Sequence, residues 1–266
     1  MPCRKCILCK TGRGNRCLNQ KMPGNSLGIY GGFASHIPVP SIDLCEIKNR
    51  GDIPLAHLAV VADAATTPYQ AAKRADLQPG DKVVVIGIGG GVGQYMGQIA
   101  KGLGASTVIG IDIAQAKLDR ALSYGADFVI NASDKDARTV SGEFKKICKE
   151  NELPGFGWKI FEVTGVKPGQ EIGLTLLSFI GKLIIIGFGL SKLEYMISRL
   201  MAFDAEIIGT WGCLPEYYPI VLNMVTSGKV NIDAFVQTRP MSTILESFEE
   251  AHKVPPDRRI VLTPDF

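Results

Sequence analysis

The chain has 266 residues, of which 46% are hydrophobic and 21% are charged, and these ordinary globular values exclude a disordered or fibrous protein. The formal net charge of +3 provides no general attraction for nucleic acid or for a membrane surface, so we expect neither as a partner. The longest apolar stretch, Leu176 to Leu190, is interrupted by Lys182 and is too short to span a bilayer. Residues 1–20 are polar, basic and rich in cysteine, so they do not resemble a signal peptide.

A cysteine cluster opens the chain. Its spacing, C-x2-C-x2-C-x7-C, suits a closed tetrahedral zinc site that is structural rather than catalytic. An iron–sulfur cluster would require a shorter last gap followed by proline, and two disulfides in so short a segment would be strained. The clustering also favours a reducing, cytoplasmic compartment over a secreted one. The predicted zinc ligands are Cys3, Cys6, Cys9 and Cys17.

Short strands and helices are predicted after the cysteine cluster. The alternation of residue types over 28–48 predicts short strands, and residues 53–75 predict a helix, a loop and a second helix. Residues 76–81 combine aspartate, proline and glycine, which is typical of a turn.

Strands and helices alternate from Lys82 onwards. The β-branched run 83–86 indicates a parallel strand that is buried on both faces. The alternation continues over roughly 145 residues and predicts an α/β fold, with a doubly wound parallel Rossmann sheet of six strands. Residues 211–266 predict one amphipathic helix and short strands. The further strands are predicted at 107–111, 128–130, 158–163, 182–186 and 206–210, and the helices at 92–103, 114–124, 138–150, 169–180 and 216–226.

A glycine-rich loop follows the first strand of this pattern. Glycine permits a tight turn and a close approach of backbone N–H groups to a pyrophosphate, and the helix that follows adds positive partial charge. Asp112 lies nineteen residues after Gly93, at the end of the second strand, where an acid can accept both ribose hydroxyls of an adenosine. Because a carboxylate repels a 2′-phosphate and Ile113 is apolar, we predict NAD rather than NADP. The loop residues predicted to bind the cofactor are Gly87, Gly89, Gly90, Gly91, Val92 and Gly93.

These features together resemble the zinc-type medium-chain alcohol dehydrogenases. The cysteine spacing is similar to their structural zinc lobe, residues 63–71 to the helix between their domains, and residues 87–93 with Asp112 to their cofactor loop. The resemblance implies a remnant of a GroES-like catalytic domain over 1–63, an NAD-binding domain over 64–207 and a return to the catalytic domain over 208–266. It implies oxidation of a secondary alcohol to a ketone, with NAD and zinc as cofactors, in a dimer or tetramer.

The resemblance also places further site residues. It puts Asp63 where many relatives have a ligand to the catalytic zinc, although capping of the following helix is an alternative role. Thr67 would be the catalytic-site residue beside the nicotinamide. Val163 and Ile186 would line the nicotinamide pocket, with a place in the sheet core as the alternative. Arg259 would reach the pyrophosphate, with a solvated surface position as the alternative.

One departure from the family limits these expectations. Family members carry about ninety residues before the zinc lobe, and these supply most ligands of the catalytic zinc. We therefore expect this chain alone to bind NAD without oxidising an alcohol. The expected substrate is a cyclic hydroxyacyl-CoA thioester of anaerobic aromatic degradation, with another secondary alcohol or a polyol as the alternative. A non-catalytic protein that binds NAD and zinc is a third possibility.

Overall fold

The computed structural model describes residues 1–26, 28, 31–253 and 256–266. They form two compact units. We call residues Met1–Thr66 with Trp211–Phe266 the lobe unit and residues Thr67–Thr210 the sheet unit. No helix among the described residues is long and apolar enough to cross a membrane.

Helices and strands alternate through the middle of the chain. The helices are α1 (Ile7–Lys10), α2 (Thr66–Arg74), α3 (Gly93–Gly102), α4 (Gln115–Ser123), α5 (Ala137–Glu150), α6 (Lys167–Leu176), α7 (Ser198–Phe203), α8 (Tyr218–Thr226) and α9 (Ile244–Lys253). The strands are β1 (Lys82–Ile86), β2 (Thr107–Asp112), β3 (Phe128–Asn131), β4 (Lys159–Glu162), β5 (Lys182–Ile185), β6 (Glu206–Gly209), β7 (Val236–Pro240) and β8 (Arg259–Thr263).

The sheet unit contains one parallel six-stranded sheet in the order β3-β2-β1-β4-β5-β6. All its neighbouring strands pair in parallel, and Ile86 at the end of β1 lies opposite Ile111 on one side and Glu162 on the other. The chain reverses its direction of winding between β1 and β4, which is the switch point of a doubly wound fold. The predicted doubly wound α/β fold is therefore confirmed.

Helices cover both faces of this sheet. On one face, Phe144 of α5 and Ile172 of α6 pack with Val84 and Leu183 in a single buried cluster. On the other face, Gly97 of α3 lies against Val108, which points away from that cluster because successive side chains of a strand alternate between faces. Burial on both faces explains why the strands are runs of β-branched residues rather than alternating ones.

The lobe unit is built differently. Residues 1–20 contain α1 and a short 3₁₀ turn at Gly14–Arg16, and a 3₁₀ helix covers Leu55–Ala62. Strands β7 and β8 pair in parallel, with Val236 opposite Arg259. The assignment of this unit to a GroES-like domain remains a prediction.

The short strands predicted over 28–48 are wrong for the residues described there. Residues 31–48 are irregular apart from a 3₁₀ turn at Ser41–Asp43, and Phe33, Ile42 and Leu44 are exposed. Residues 29 and 30 lie outside the described residues. Pro38 and Pro40 carry no N–H group to donate to a neighbouring strand, so the alternating pattern alone does not produce a ladder.

Two smaller differences concern helices. Helix α6 ends at Leu176 rather than 180, because Leu177 is extended and a turn that is closed by the hydrogen bond from Gly181 N to Ser178 O leads into β5. Helices α1, α7 and α9 were not predicted.

The core position Leu183 provides a test of this packing. Leu183 is fully buried, whereas Leu190 is 88% exposed. We expect Leu183→Ala to lower the free energy of unfolding by about 2–5 kcal/mol, since it leaves a cavity under α6, and Leu190→Ala to lower it by less than about 0.5 kcal/mol. Urea unfolding followed by circular dichroism measures both. Equal effects of the two substitutions would contradict the assigned core.

Candidate functional site

The glycine loop turns tightly at the end of β1. Gly87 N and Ile88 N donate to Ile111 O over 2.7 and 3.1 Å, and Gly90 N donates to Gly87 O over 3.0 Å. Helix α3 begins at Gly93, so its N-terminal end lies at the carboxyl edge of the sheet. This arrangement presents backbone N–H groups and positive partial charge where an anion can bind.

Three of the glycines are required by geometry. A Cβ atom on Gly93 would lie 2.0 Å from Gly87 O, and one on Gly89 would lie 2.4 Å from Lys117 Cβ. Gly87 has a φ of +87°, which disfavours any other residue. Gly90, Gly91 and Val92 complete the turn, and Gly91 is exposed.

Asp112 ends β2 beside this loop. One carboxylate oxygen accepts from Gly89 N over 2.9 Å, and the other accepts from Ile113 N and Ala114 N over 2.8 and 3.2 Å. The residue is half-buried, and each carboxylate oxygen can accept more than one hydrogen bond. Asp112 is therefore held in place by the backbone and is still able to accept hydroxyl donors.

Val163 and Ile186 lie at the same edge, on the other side of the switch point. Val163 N donates to Ile86 O over 3.1 Å and Ile186 N donates to Glu162 O over 2.9 Å, so both half-buried residues continue from β4 and β5 at the level of the glycine loop. The structure thus brings together the glycine loop, Asp112, Val163 and Ile186 in the sheet unit.

Glu162, the last residue of β4, was missed by sequence reasoning. Its side chain is fully buried, and its carboxylate accepts from Thr164 N over 2.8 Å, from Gly165 N over 3.1 Å and from the Thr164 hydroxyl. Burial raises the pKa of Glu162, and the hydrogen bonds from Thr164 and Gly165 oppose this rise. A glutamate inside an apolar run was the available signal.

The four lobe cysteines come together. Their Sγ atoms all lie within 4.8 Å of one another, and all four are free thiols. The Sγ atom of Cys6 lies 3.5 Å from that of Cys9 and 3.9 Å from that of Cys17. A tetrahedron with Zn–S bonds of 2.3 Å has sulfur atoms about 3.8 Å apart, so these residues fit a zinc ion. The zinc assignment itself remains a prediction.

Backbone groups favour the thiolate at two of these cysteines. Hydrogen bonds from Lys5 N and Cys6 N lower the pKa of Cys3 to about 6, and backbone hydrogen bonds also lower the pKa of Cys6. Burial raises the pKa of Cys9 to about 12. Binding of a divalent ion would deprotonate Cys9 as well, because metals bind the thiolate.

The cysteine lobe packs against residues 211–214, where the chain returns to the lobe unit. Asn15 Nδ2 donates to Trp211 O over 2.7 Å, and the guanidinium of Arg16 lies 5.4 Å from the Trp211 ring centre. A Cβ atom on Gly14 would touch Leu214. The lobe thereby fixes the backbone on both sides of Cys213.

Asp63 lies near Cys213 and Tyr218 in the same unit. Cys213 Sγ donates to Ala62 O over 3.4 Å, and burial raises the pKa of Cys213 to about 11, with a smaller contribution from the Asp63 charge. Burial also raises the pKa of Tyr218. Helix α2 begins at Thr66, so Asp63 does not stand immediately before it as a capping residue would. Its role as a zinc ligand remains a prediction.

Two further predicted site residues lie on other elements. Thr67 is buried in the first turn of α2, and Arg259 is the half-buried first residue of β8 in the lobe unit. Their roles beside the nicotinamide and the pyrophosphate remain predictions.

The fold and the glycine loop define a dinucleotide-binding type of protein. The sequence profile of the family "Zinc-binding dehydrogenase" matches residues 91–227, which is more than half of the chain. The chain therefore belongs to the zinc-binding dehydrogenases.

Individual relatives agree with this assignment. The chain is 28% identical over 95% of its length to D-xylulose reductase A of Aspergillus niger and 26% identical over 93% to an NAD-dependent alcohol dehydrogenase of Sulfurisphaera tokodaii. It spans about two thirds of each, 67% and 66% respectively. The crystal structure of galactitol-1-phosphate dehydrogenase from Escherichia coli matches with a TM-score of 0.86 at 22% identity, over 99% of this chain and 75% of that one, and shows the same fold.

The cysteine geometry predicts a metal content. We expect the protein, purified under reducing conditions, to contain about one zinc ion per chain with four sulfur ligands. Cys6→Ser should lose this zinc and lower the thermal stability of the protein, whereas Cys45→Ser, outside the cluster, should change neither. Elemental analysis and X-ray absorption measure the ion and its ligands. Iron with inorganic sulfide, or a reduced protein without metal, would contradict the zinc prediction.

Proposed function

We propose that this chain is the NAD(H)-binding part of a zinc-dependent dehydrogenase that interconverts a secondary alcohol and a ketone. The observation that carries the proposal is the glycine loop with Asp112, which combines an anion-binding helix terminus with a carboxylate held at the end of the next strand. Membership of the zinc-binding dehydrogenase family supports the same reaction class.

The proposed roles follow from chemistry at each position. The loop Gly87–Gly93 would bind the pyrophosphate, and Asp112 would accept the hydroxyls of the adenosine ribose. Val163 and Ile186 would shield the nicotinamide from water, with Thr67 beside the ring and Arg259 at the pyrophosphate. Bound NAD supplies the hydride acceptor, and the chain orients it.

Zinc is proposed at two places with different roles. The cysteine lobe would hold a structural ion that performs no chemistry. Asp63 would contribute one ligand to a catalytic ion, which polarises an alcohol oxygen in such enzymes. A catalytic site requires about three protein ligands, so Asp63 alone does not define one.

Two substrate classes compete. The amino-acid sequence of residues 61–70 and 87–93 resembles that of 6-hydroxycyclohex-1-ene-1-carbonyl-CoA dehydrogenase, and this resemblance favours a cyclic hydroxyacyl-CoA thioester as substrate. Similarity to a D-xylulose reductase favours a polyol. We propose a secondary alcohol as the common class.

A non-catalytic protein that binds NAD and zinc is the second candidate function. One observation favours it: the described residues contain a single group of three or more clustered metal donors, the four cysteines of the lobe.

Assays for NADH formation separate these candidates. They would use NAD, zinc and either xylitol or the cyclohexenol-CoA thioester. Oxidation of one substrate identifies its class, and zinc-dependent turnover by this chain alone would contradict the sequence-based expectation that it binds NAD without turnover. Binding of NADH without turnover of either substrate agrees with both candidates for this chain, whereas turnover of either substrate excludes the non-catalytic candidate.

Cofactor preference provides a test of Asp112. We expect the protein to bind NADH more tightly than NADPH by about 1.5–3 kcal/mol, the value of charge-assisted hydrogen bonds to the ribose. Asp112→Ser combined with Ile113→Arg should shift the preference towards NADPH, because the repelling carboxylate is replaced by a cation. Titration of protein fluorescence with each nucleotide measures this.

The control is Ile113→Arg alone. Ile113 is 70% exposed, so this variant keeps Asp112 and its backbone contacts and should still prefer NADH. Equal affinity of the unmodified chain for NADH and NADPH would show that Asp112 does not select the cofactor.

A further inference from the structure

Glu162 carries a buried carboxylate at the switch point and takes no part in the cofactor contacts proposed above. The residue is 0% exposed. Its carboxylate accepts hydrogen bonds from the backbone N–H groups of Thr164 and Gly165 and from the Thr164 hydroxyl. Burying a charge is costly unless hydrogen bonds compensate it. The carboxylate therefore fixes the backbone over 163–165 in one conformation.

That backbone touches the loop after β5 without any side chain between them. A Cβ atom on Gly187 would lie 2.1 Å from Gly165 N, and one on Gly189 would lie 1.8 Å from Gly165 O. A Cβ atom on Gly165, whose φ is +70°, would lie 2.2 Å from Phe188 O. Any shift of residues 163–165 must therefore move residues 187–189 as well.

The main chain of Glu162 also holds the second loop. Its carbonyl oxygen accepts from Ile186 N over 2.9 Å and from Gly187 N over 3.1 Å. Through its carboxylate and its carbonyl, one residue thus sets the position of both loops that follow β4 and β5.

These two loops belong to one half of the fold. A doubly wound sheet consists of two mononucleotide-binding halves, and ligands lie outside the carboxyl ends of the strands at the switch point. Asp112 at the end of β2 assigns the adenosine to the half with β1, β2 and β3. The half with β4, β5 and β6 is then left for the second nucleotide of a dinucleotide.

We propose that Glu162 is a positioning residue for the nicotinamide half of the cofactor, acting through the paired loops 163–165 and 186–189. This inference rests on the proposed function. Glu162 itself does not touch the cofactor; it holds the backbone that does.

The experiment compares NADH with ADP-ribose, which lacks the nicotinamide, by calorimetry. Thr164 N donates to Oε1 of Glu162, and Gly165 N donates to both Oε1 and Oε2, to the latter over 3.2 Å. Glu162→Gln puts an NH₂ group in place of one of these oxygens, so at least one hydrogen bond is lost in either orientation of the amide. We expect its affinity for NADH to fall about tenfold while its affinity for ADP-ribose stays within about twofold of the unmodified protein. The emission of bound NADH should fall in the same variant.

Two further variants complete the design. Thr164→Val removes the hydroxyl donor at nearly constant shape. It should lower the affinity for NADH, by less than Glu162→Gln does, and it keeps the test available if Glu162→Gln does not fold. Glu171→Gln is the matched control. Glu171 is half-buried, with a side chain that is 46% exposed, and it forms an i,i+4 ion pair with Lys167 on α6, so this variant should alter neither affinity.

The outcomes separate the two proposals. Parallel losses of NADH and ADP-ribose affinity, or no loss in either variant, would overturn the positioning role while leaving the proposed function intact. An unmodified protein that binds ADP-ribose as tightly as NADH would overturn the positioning role as well. An unmodified protein that binds neither ligand would overturn the proposed function and this inference with it.

Discussion

Direct contact between backbone segments at the carboxyl edge of the parallel sheet is the constraint on which the sheet unit depends. Gly93 packs directly against the backbone of Gly87, which is possible only without a side chain because a Cβ atom on Gly93 would lie 2.0 Å from Gly87 O. Gly187 packs against Gly165 N in the same way. Without side chains, the polar backbone itself forms the surface at this edge. Parallel register brings the ends of β1, β4 and β5 to one level, so the glycine loop and both later loops share that surface.

Two carboxylates at this edge show how burial assigns different roles to one chemical group. Asp112 is half-buried, and its backbone donors leave lone pairs that can accept hydroxyl groups. Glu162 is fully buried, and its carboxylate accepts hydrogen bonds from Thr164 and Gly165. The first carboxylate can recognise a ligand, whereas the second orders the chain that surrounds one. Sequence position alone does not separate them, since each is the last residue of its strand.

The sheet unit could be predicted from the sequence because its signals are local. Runs such as 83–86 and turns such as 87–93 carry their own strand and loop signals, and parallel burial repeats them. The strands expected over 28–48 failed because a ladder needs a partner that no local pattern provides. Glu162 was missed for a related reason: its donors become visible only when residues 164 and 165 fold back on β4. Cys213 and Asp63 are 150 positions apart in the chain, so the sequence pattern could not predict that they lie near each other.

The cysteine lobe cannot be ordered by apolar burial in the way that the sheet is. Its residues have no hydrophobic period, and among residues 1–20 only Gly14, Asn15 and Cys17 are buried, so apolar burial cannot order this segment. Coordination of a metal by four thiolates would supply the missing free energy, because ligands that are free in the unfolded chain become fixed on binding. The effect would reach beyond the lobe. Asn15 and Gly14 contact Trp211 and Leu214, which flank Cys213, so a metal that orders residues 3–17 also fixes the backbone beside Asp63 within the lobe unit. A structural ion that takes no part in chemistry would in this way determine where the proposed ligand of the catalytic zinc lies.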